Sequence, residues 1–197
     1  MSTTVWMAIG VAVVVVFWAA AVHNRLRQLR NRVDNAFAQI DVQLKRRHDL
    51  IPNLVEVARG YMAHESSTLE AVARARGQAA QAAAHARRHP GQAAAMASLA
   101  GAEAALGSSL GQLMVLTESY PDLKADAQMQ SLSEEITSTE NRLGFARQAY
   151  NDQVLDFNDQ AAQFPAIVVA RLLGFPTAPM LEATRSEEER AAPKVQF

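Results

Sequence analysis

VWMAIGVAVVVVFWAAAV, from Val5 to Val22, is an unbroken apolar run of 18 residues without a charge or a proline. As a helix rising roughly 1.5 Å per residue, it would be about 27 Å long, close to the thickness of the hydrocarbon core of a bilayer. Trp6 and Trp18 lie near its two ends, and tryptophan side chains favour the headgroup level of a membrane. The run therefore predicts a transmembrane anchor from which the rest of the chain extends.

Basic residues follow this run and do not precede it. Met1 to Trp6 carries no charged side chain. The arginines that come after the run are Arg25, Arg27, Arg30 and Arg32. A secretory signal has its basic residues in front, although Ala19-Ala20-Ala21 resembles a cleavage site and keeps that alternative open. Because arginines beside a span stay in the cytoplasm, we expect residues 1–4 outside, an anchor over residues 5–24 and the remaining chain inside.

The bulk composition excludes several classes of function. The net charge of −1 does not suit a nucleic-acid binder. The chain has no cysteine, which excludes disulfides, cysteine nucleophiles and thiolate metal sites. The length that follows the anchor suits one domain of ordinary size.

The segment after the anchor predicts a long helix that continues from the membrane. Apolar residues recur at intervals of three and four from Leu26 to Tyr61, which is the spacing of one helical face. Pro52 removes a backbone hydrogen bond, yet it falls on the polar side of this stripe. We therefore expect one helix kinked near Pro52, with a break and a new helix at Pro52 as the alternative.

Three further long helical segments are predicted. Residues 69–87 and 92–119 are alanine-rich, which favours helix formation but buries little area, and Arg88-His89-Pro90-Gly91 predicts a turn between them. Residues 128–163 carry a heptad repeat, which is typical of a helix packed against another helix. The residues that recur every seven positions are Ile136, Leu143, Tyr150, Phe157 and Phe164. A short helix over residues 166–173 follows, with Gly174 as its cap.

No strand pattern occurs in the soluble part, so the predicted fold class is all-α. We expect an N-terminal transmembrane helix followed by an antiparallel up-down bundle of about four long helices. The bundle is expected over residues 25–173. Residues 174–197 contain three prolines and a charged run without periodicity, which predicts an extended or mobile C-terminal tail.

Basic and aromatic side chains along the first helix are candidate binding residues. Those expected at the membrane interface are Trp6, Trp18, Arg25, Arg27, Arg30 and Arg32. These arginines set topology and are also expected to contact anionic headgroups, with topology alone as the alternative. Lys45, Arg46, Arg47 and His48 lie about 30 Å farther along a straight helix, too far for lipid contact. They are a candidate partner surface, with an ordinary solvated face as the alternative.

Polar residues also occupy positions beside or within the apolar stripes. Arg47 falls on a core position of the first helix, and Glu140, Arg147 and Asn151 lie beside the seam of the fourth. A buried charge requires a partner, so Arg47 or Arg147 is expected to pair with an acidic residue across the seam. The structural interpretation is a buried polar layer of these four residues that fixes helix register, and the functional alternative is a ligand or partner groove.

No residue pattern indicates catalysis, a metal or a cofactor. No glutamate has a histidine three positions later, as carboxylate-bridged bundles require, and the HExxH, GxSxG and phosphate-binding glycine motifs are absent. We therefore expect a non-enzymatic protein with no metal and no cofactor, and no residue is a candidate for catalysis.

Several long strings of this sequence resemble the LemA family. They are VDNAFAQIDVQLKRRHDLIPNLVEVARGYMAHESSTLEAVARAR (Val33 to Arg76), ESYPDLKAD (Glu118 to Asp126), TENRLGFARQAYNDQVLDFN (Thr139 to Asn158), FPAIVVARLLGF (Phe164 to Phe175) and PKVQF (Pro193 to Phe197). His23, Phe37 and Ala104 depart from the family pattern, which often has tyrosine, tryptophan and asparagine there. The resemblance covers nearly the whole chain, anchor included. It implies a single-span bacterial membrane protein with an α-helical bundle, and it implies no activity.

The expected function follows from a strong anchor, long helical seams and the lack of chemical motifs. The first hypothesis is a scaffold held by the lipid bilayer at the cytoplasmic face of the bacterial inner membrane. It would act as a homo-oligomer or by recruiting a protein partner. The alternative is an adaptor or sensor that binds a peptide or small ligand in a groove of the bundle, with the alanine-rich pair as a movable wall.

Overall fold

A computed structural model describes residues 3–62 and 64–181 of the chain, and within these ranges every regular element is a helix. The all-α prediction is confirmed. The helices of the described part are α1 (Thr3–Tyr61), α2 (Ser66–Arg88), α3 (Ala93–Thr117), α4 (Pro121–Ala125), α5 (Ala127–Ala162) and α6 (Ala166–Leu172). The sequence pattern predicted all of these except the short α4.

Helix α1 contains 59 residues and continues without a break through Pro52. Its buried side chains follow the predicted stripe from Leu26 to Ala58, and Pro52 is exposed. The alternative of a new helix beginning at Pro52 is wrong, whereas a kink there stays a prediction. The carbonyl of His48 is the acceptor that the missing Pro52 amide would have used, and it accepts a hydrogen bond of 3.0 Å from Nε of Arg76 in α2.

Helix α5 runs antiparallel to α1. The Tyr61 hydroxyl at the end of α1 donates a hydrogen bond of 3.1 Å to Asp126, which caps the start of α5. Farther back along α1, the ring of Phe37 lies 5.8 Å from the ring of Tyr150 in the second half of α5. These contacts establish the direction of this helix pair, and the up-down order of the whole bundle stays a prediction.

The predicted heptad seam is buried along most of α5 but not at its end. Ile136, Leu143, Tyr150 and Phe157 all lie in the core. Phe164 does not, because α5 ends at Ala162 and the backbone turns extended at the following residue. The side chain of Phe164 is 84% exposed, so its placement in the seam is wrong.

Helices α2 and α3 are the two alanine-rich segments, and they pack against each other. The buried face of α2 consists mainly of alanines together with Leu69 and Val72. Those buried alanines are Ala75, Ala79, Ala82, Ala83 and Ala86. Short side chains allow close helix approach but bury little apolar area, so this pair contributes less to the core than the seam between α1 and α5.

The chain reverses direction after α6. Gly174 has a φ of +70°, and the amide of Phe175 donates a hydrogen bond of 2.9 Å to the carbonyl of Ala170. A glycine in the left-handed region followed by this hydrogen bond is a Schellman motif, so the predicted cap is confirmed. Phe175 to Leu181 then lies without helix against α5, and the part of the predicted tail from residue 182 to residue 197 lies outside the described residues.

Two described helices, α1 and α3, are long and apolar enough to cross a membrane by length and composition alone. None of the apolar window of α1 is buried, and Trp6 and Trp18 near its ends are 63% and 37% exposed. Helix α3 contributes Leu99, Leu106 and other side chains to the bundle core instead. Residues 5–17 of α1 are therefore all exposed, and Val22 at the end of the run packs against the bundle, whereas α3 lies within the bundle.

Candidate functional site

The arginines that follow the apolar run do not have the same surroundings. The guanidinium carbon of Arg27 lies 5.9 Å from the centre of the Phe175 ring, and that of Arg30 lies 5.7 Å from the centre of the Phe157 ring. These two side chains therefore pack against the bundle. Arg30 is half-buried, whereas Arg25, Arg27 and Arg32 are exposed to solvent.

A buried ionic cluster joins three helices in the middle of the bundle. Arg47 of α1 has a side chain that is only 3% exposed. One of its terminal nitrogens lies 2.9 Å from a carboxylate oxygen of Glu103 in α3, and the other lies 2.8 Å from Glu140 in α5. The second oxygen of Glu103 lies 2.8 Å from Nε2 of His48. The structure thus brings the predicted residues Arg47 and Glu140 together and adds Glu103 and His48 to them.

The donors and acceptors of this cluster follow from its geometry. An ionised carboxylate only accepts hydrogen bonds, so Nε2 of His48 carries the hydrogen that it shares with Glu103. The two oxygens of Glu103 are thereby divided between Arg47 and His48. Nε of Arg47 is also buried, and it has no hydrogen-bond partner among the described residues.

Two residues of the predicted partner surface are inside the bundle. Arg47 and His48 are both buried, so neither side chain is available to a partner at this surface. Lys45 and Arg46 do face solvent, where Lys45 pairs with Asp49 at 2.6 Å and Arg46 donates to Glu135 in α5. Burial of Arg47 and His48 follows from the helical stripe, because both follow Leu44 on the side of α1 that faces α3.

A groove runs between α3 and α5, with α1 at its base. It contains a cavity of about 230 Å³ beside the ionic cluster, and Arg147 lines this cavity rather than joining the ion pairs. Small residues of α3, including Ala104 and Gly107, form one wall. Leu181 at the end of the described tail closes one side of it.

Two asparagines of α5 hold the tail in place. The amide oxygen of Asn158 accepts from the Ala178 amide at 2.8 Å, and its nitrogen donates to the Ala178 carbonyl at 2.9 Å. Asn151 makes the same pair of hydrogen bonds with Leu181, at 2.9 and 3.1 Å. Asn151 therefore contacts the tail and not the ionic cluster. Seven residues of helix advance about 10 Å, which three extended residues of the tail also span.

Tyr150 comes directly before Asn151 along α5 and is fully buried. Its hydroxyl donates a hydrogen bond of 2.7 Å to the carbonyl of Pro179. Burial raises the pKa of Tyr150 to about 12, the nearby Asp34 carboxylate adds to the rise, and Arg30 opposes it. The tail is thus fixed at three successive points, none of which a heptad pattern alone could assign.

The charged side chains of the cluster are paired with one another. Among residues 3–62 and 64–181, no group of three or more His, Asp or Glu side chains is placed to hold a metal ion. The ionic cluster contains two carboxylates, but both are paired with Arg47. This geometry can fix the register of three helices and present a polar groove beside them.

Comparison with known proteins gives the family. The model of the LemA family matches residues 36–197, which is most of the chain. The chain belongs to the LemA family. The match begins within α1, after the apolar run. It covers the second half of α1, the rest of the bundle and the tail of this LemA-family protein, but not residues 1–35.

Three curated relatives match most of this chain at low sequence identity. Magnetosome protein MamQ 1 of Paramagnetospirillum magneticum is 24% identical over 189 residues, covering 87% of this chain and 70% of the relative. Magnetosome protein MamQ of Magnetospirillum gryphiswaldense is 22% identical over 153 residues, covering 70% of this chain and 56% of the relative. Protein LemA of Metamycoplasma hominis is 24% identical over 164 residues, covering 83% and 70%.

Proposed function

We propose that this LemA-family protein is a membrane-anchored, non-catalytic scaffold that acts by self-association or by recruiting a protein partner. The observation that carries the proposal is the continuity of α1. Residues 5–17 of this helix are all exposed, and the same unbroken helix becomes a central element of the bundle. Because this helix is continuous, no flexible linker separates the bundle from the membrane-spanning segment.

The lipid bilayer is the partner that suits the start of α1. Val5 to Val22 lacks any charge and matches the hydrocarbon core in length. Exposed side chains such as Phe17 and Val14 would otherwise remain in water, which is costly for so many consecutive apolar residues. Arg25 and Arg32, exposed just after the run, favour retention of the bundle on the cytoplasmic side of a bacterial cell membrane.

A non-catalytic role is supported by the way in which the charged side chains are used. Arg47, Glu103, Glu140 and His48 meet in one place, but each is occupied by an ion pair or hydrogen bond within the group. Such a buried cluster specifies how helices fit together. The proposal therefore assigns these residues to the architecture of the bundle and assigns binding to its surfaces.

In-membrane crosslinking of the full-length protein, read by mass spectrometry, tests the scaffold. We expect links between copies or links to one predominant protein. Ala8→Leu with Ala12→Leu should reduce links between copies if the anchors associate, whereas Val14→Leu, a lipid-filling change in the same helix, is the matched control. Links within single copies only would contradict the proposal.

A second candidate function is the binding of a peptide or small polar ligand in the groove between α3 and α5. The cavity of about 230 Å³ and the buried, unpartnered Nε of Arg47 favour it. A thermal-shift screen of short peptides and amino acids on the full-length protein would test it. A ligand for this site should lose its effect in Arg147→Ala and keep it in Arg142→Ala, since Arg147 lines the cavity and Arg142 does not.

A further inference from the structure

The most exposed large apolar side chains of the described chain lie around α6 and not in the anchor. Phe164 is 84% exposed and Leu172 is 79% exposed, more than Phe17, the most exposed large apolar residue of the run at 73%. Leu173 and Val168 of the same segment are 55% and 47% exposed. In water this surface would be unfavourable, and contiguous exposed apolar side chains mark an interaction site.

The segment lies at the end of the bundle nearest the anchor. Ala170 of α6 and Phe175 pack in one small cluster with Leu26 and Val22 of α1. The ring of Phe175 also lies 5.4 Å from the ring of His23. Val22 is the last residue of the apolar run, and Leu26 is one helical turn, about 6 Å, beyond it. Helix α6 is therefore level with the boundary that the anchor defines.

The path of the chain shows which side of α6 faces away from the bundle. Helix α5 reaches this level and ends at Ala162, and the tail from Phe175 to Leu181 returns along α5 in the opposite direction. Residues 163–174 are thus the cap of the bundle at its anchor end. Ala166, Val169 and Ala170 form the buried side of this cap, and its exposed apolar side chains form the outer side.

Basic side chains lie at this end of the bundle. Arg25 and Arg171 are exposed, and Arg27 lies against the ring of Phe175. Asp159 is the nearest exposed acidic residue on α5. Apolar side chains flanked by arginines are the pattern of helices that lie at the boundary between headgroups and acyl chains, because arginine is attracted to anionic lipid.

We propose that residues 164–173 form a second membrane contact, which lies in the interface of the bilayer beside the transmembrane part of α1. Phe164, Leu172 and Leu173 enter the boundary between headgroups and acyl chains, and Arg25 and Arg171 contact anionic headgroups. The proposal rests on the proposed anchoring of α1 and deepens it. A single span leaves a bundle free to tilt and rotate about its anchor, whereas two contacts fix which face of the bundle points into the cytoplasm.

Spin labels at single cysteines test this contact, and the natural chain has no cysteine to interfere. The full-length protein is reconstituted in vesicles of phosphatidylcholine with a minority of phosphatidylglycerol. Nitroxides are placed by Leu172→Cys, by Val14→Cys in the anchor and by Phe145→Cys, an exposed position of α5 far from the anchor end. Collision rates with oxygen, which concentrates in lipid, and with a water-soluble nickel chelate report the depth of each label.

We expect the labels at residues 14 and 172 to favour oxygen and the label at residue 145 to favour the nickel chelate by several-fold. If residue 14 reports lipid while residue 172 resembles residue 145, the interfacial contact is wrong and the anchor stands. If residue 172 is shielded from both reagents, the cap is covered by a second copy, which also overturns the proposal. If residue 14 itself reports water, the proposed anchoring fails.

Discussion

Nε of Arg76 in α2 donates a hydrogen bond of 3.0 Å to the carbonyl of His48, the carbonyl that Pro52 leaves without its helical donor. A proline inside a helix removes one amide, and the acceptor four residues earlier then needs another partner. Arg76 supplies that partner from a neighbouring helix. The helical hydrogen bond that Pro52 removes from α1 is thereby replaced by a hydrogen bond between α1 and α2.

A double-mutant cycle tests this relationship. Arg76→Met should lower the free energy of unfolding by about 1–2 kcal/mol, because a partly buried carbonyl loses its donor. In the background of Pro52→Ala the amide of residue 52 can supply the bond, so the same change should cost roughly 1 kcal/mol less. Urea unfolding of the full-length protein in detergent, followed by circular dichroism, measures both. Equal costs in the two backgrounds would show that Arg76 does not replace the missing amide.

The buried ionic cluster predicts an unequal effect of removing its carboxylates. Glu103→Gln should lower the free energy of unfolding by about 3 kcal/mol, because Arg47 and His48 would both lose a buried charged partner. Glu135→Gln is the matched control, since its pair with Arg46 is half exposed and should contribute less than about 1 kcal/mol. Chemical unfolding ranks the two, and a similar loss for both would contradict a central role for Glu103.

The asparagine contacts predict that the tail can be released without unfolding the bundle. Asn158→Asp replaces the donor to the Ala178 carbonyl by a second acceptor, so that hydrogen bond is lost and repulsion between the two oxygens weakens the remaining one from the Ala178 amide. Amide exchange at Ala178 should accelerate by roughly tenfold, as expected for a loss of about 1.4 kcal/mol of local stability. Asn141→Asp, on an exposed turn of the same helix, should leave this rate unchanged. Protection that survives in Asn158→Asp would exclude the asparagine as a tail contact.

Tyr150 predicts a loss of stability at high pH. Its folded pKa of about 12 exceeds the ordinary value of 10.0, so the folded state retains the phenolic proton that the unfolded chain releases. The contribution is complete below pH 10, declines as pH rises from 10 and is lost near pH 12, by about 2–3 kcal/mol in total. Unfolding measured across this range should show the decline, and Tyr150→Phe should remove most of it; the rest belongs to Tyr61 and Tyr120, whose pKa values are also raised by hydrogen bonding to Asp126 and by burial, respectively. An unchanged decline in Tyr150→Phe would assign it to other groups.

The sequence predicted the helices well because their buried faces repeat. The stripe of α1 and the heptads of α5 are local signals that survive in the folded chain. The heptad pattern wrongly placed Phe164 in the core, because a periodic pattern does not show where a helix ends. The adjacent Pro165 does indicate a helix end. The exposed ring at that position is what makes the cap of the bundle apolar.

The buried residues that need a polar partner were easier to predict from the sequence than the partners themselves. Arg47 falls on a core position, so its need for an acidic partner was evident. Glu140 was among the candidates, but Glu103 was not, because the alanine-rich helix gives little information about its register. One signal was available: Glu103 is the single charged residue of α3. The asparagine contacts involve a tail without periodicity, so their partners could be found only from coordinates.

The central claim is that α1 spans the membrane and holds the bundle in the cytoplasm. The most direct test is labelling of single cysteines in spheroplasts with a membrane-impermeant maleimide, using Thr3→Cys at the start of α1 and Asn141→Cys in the bundle. We predict that residue 3 is labelled in intact spheroplasts and that residue 141 is labelled only after lysis. Labelling of residue 141 in intact spheroplasts would place the bundle outside, and recovery of the protein in the soluble fraction would contradict the anchor itself.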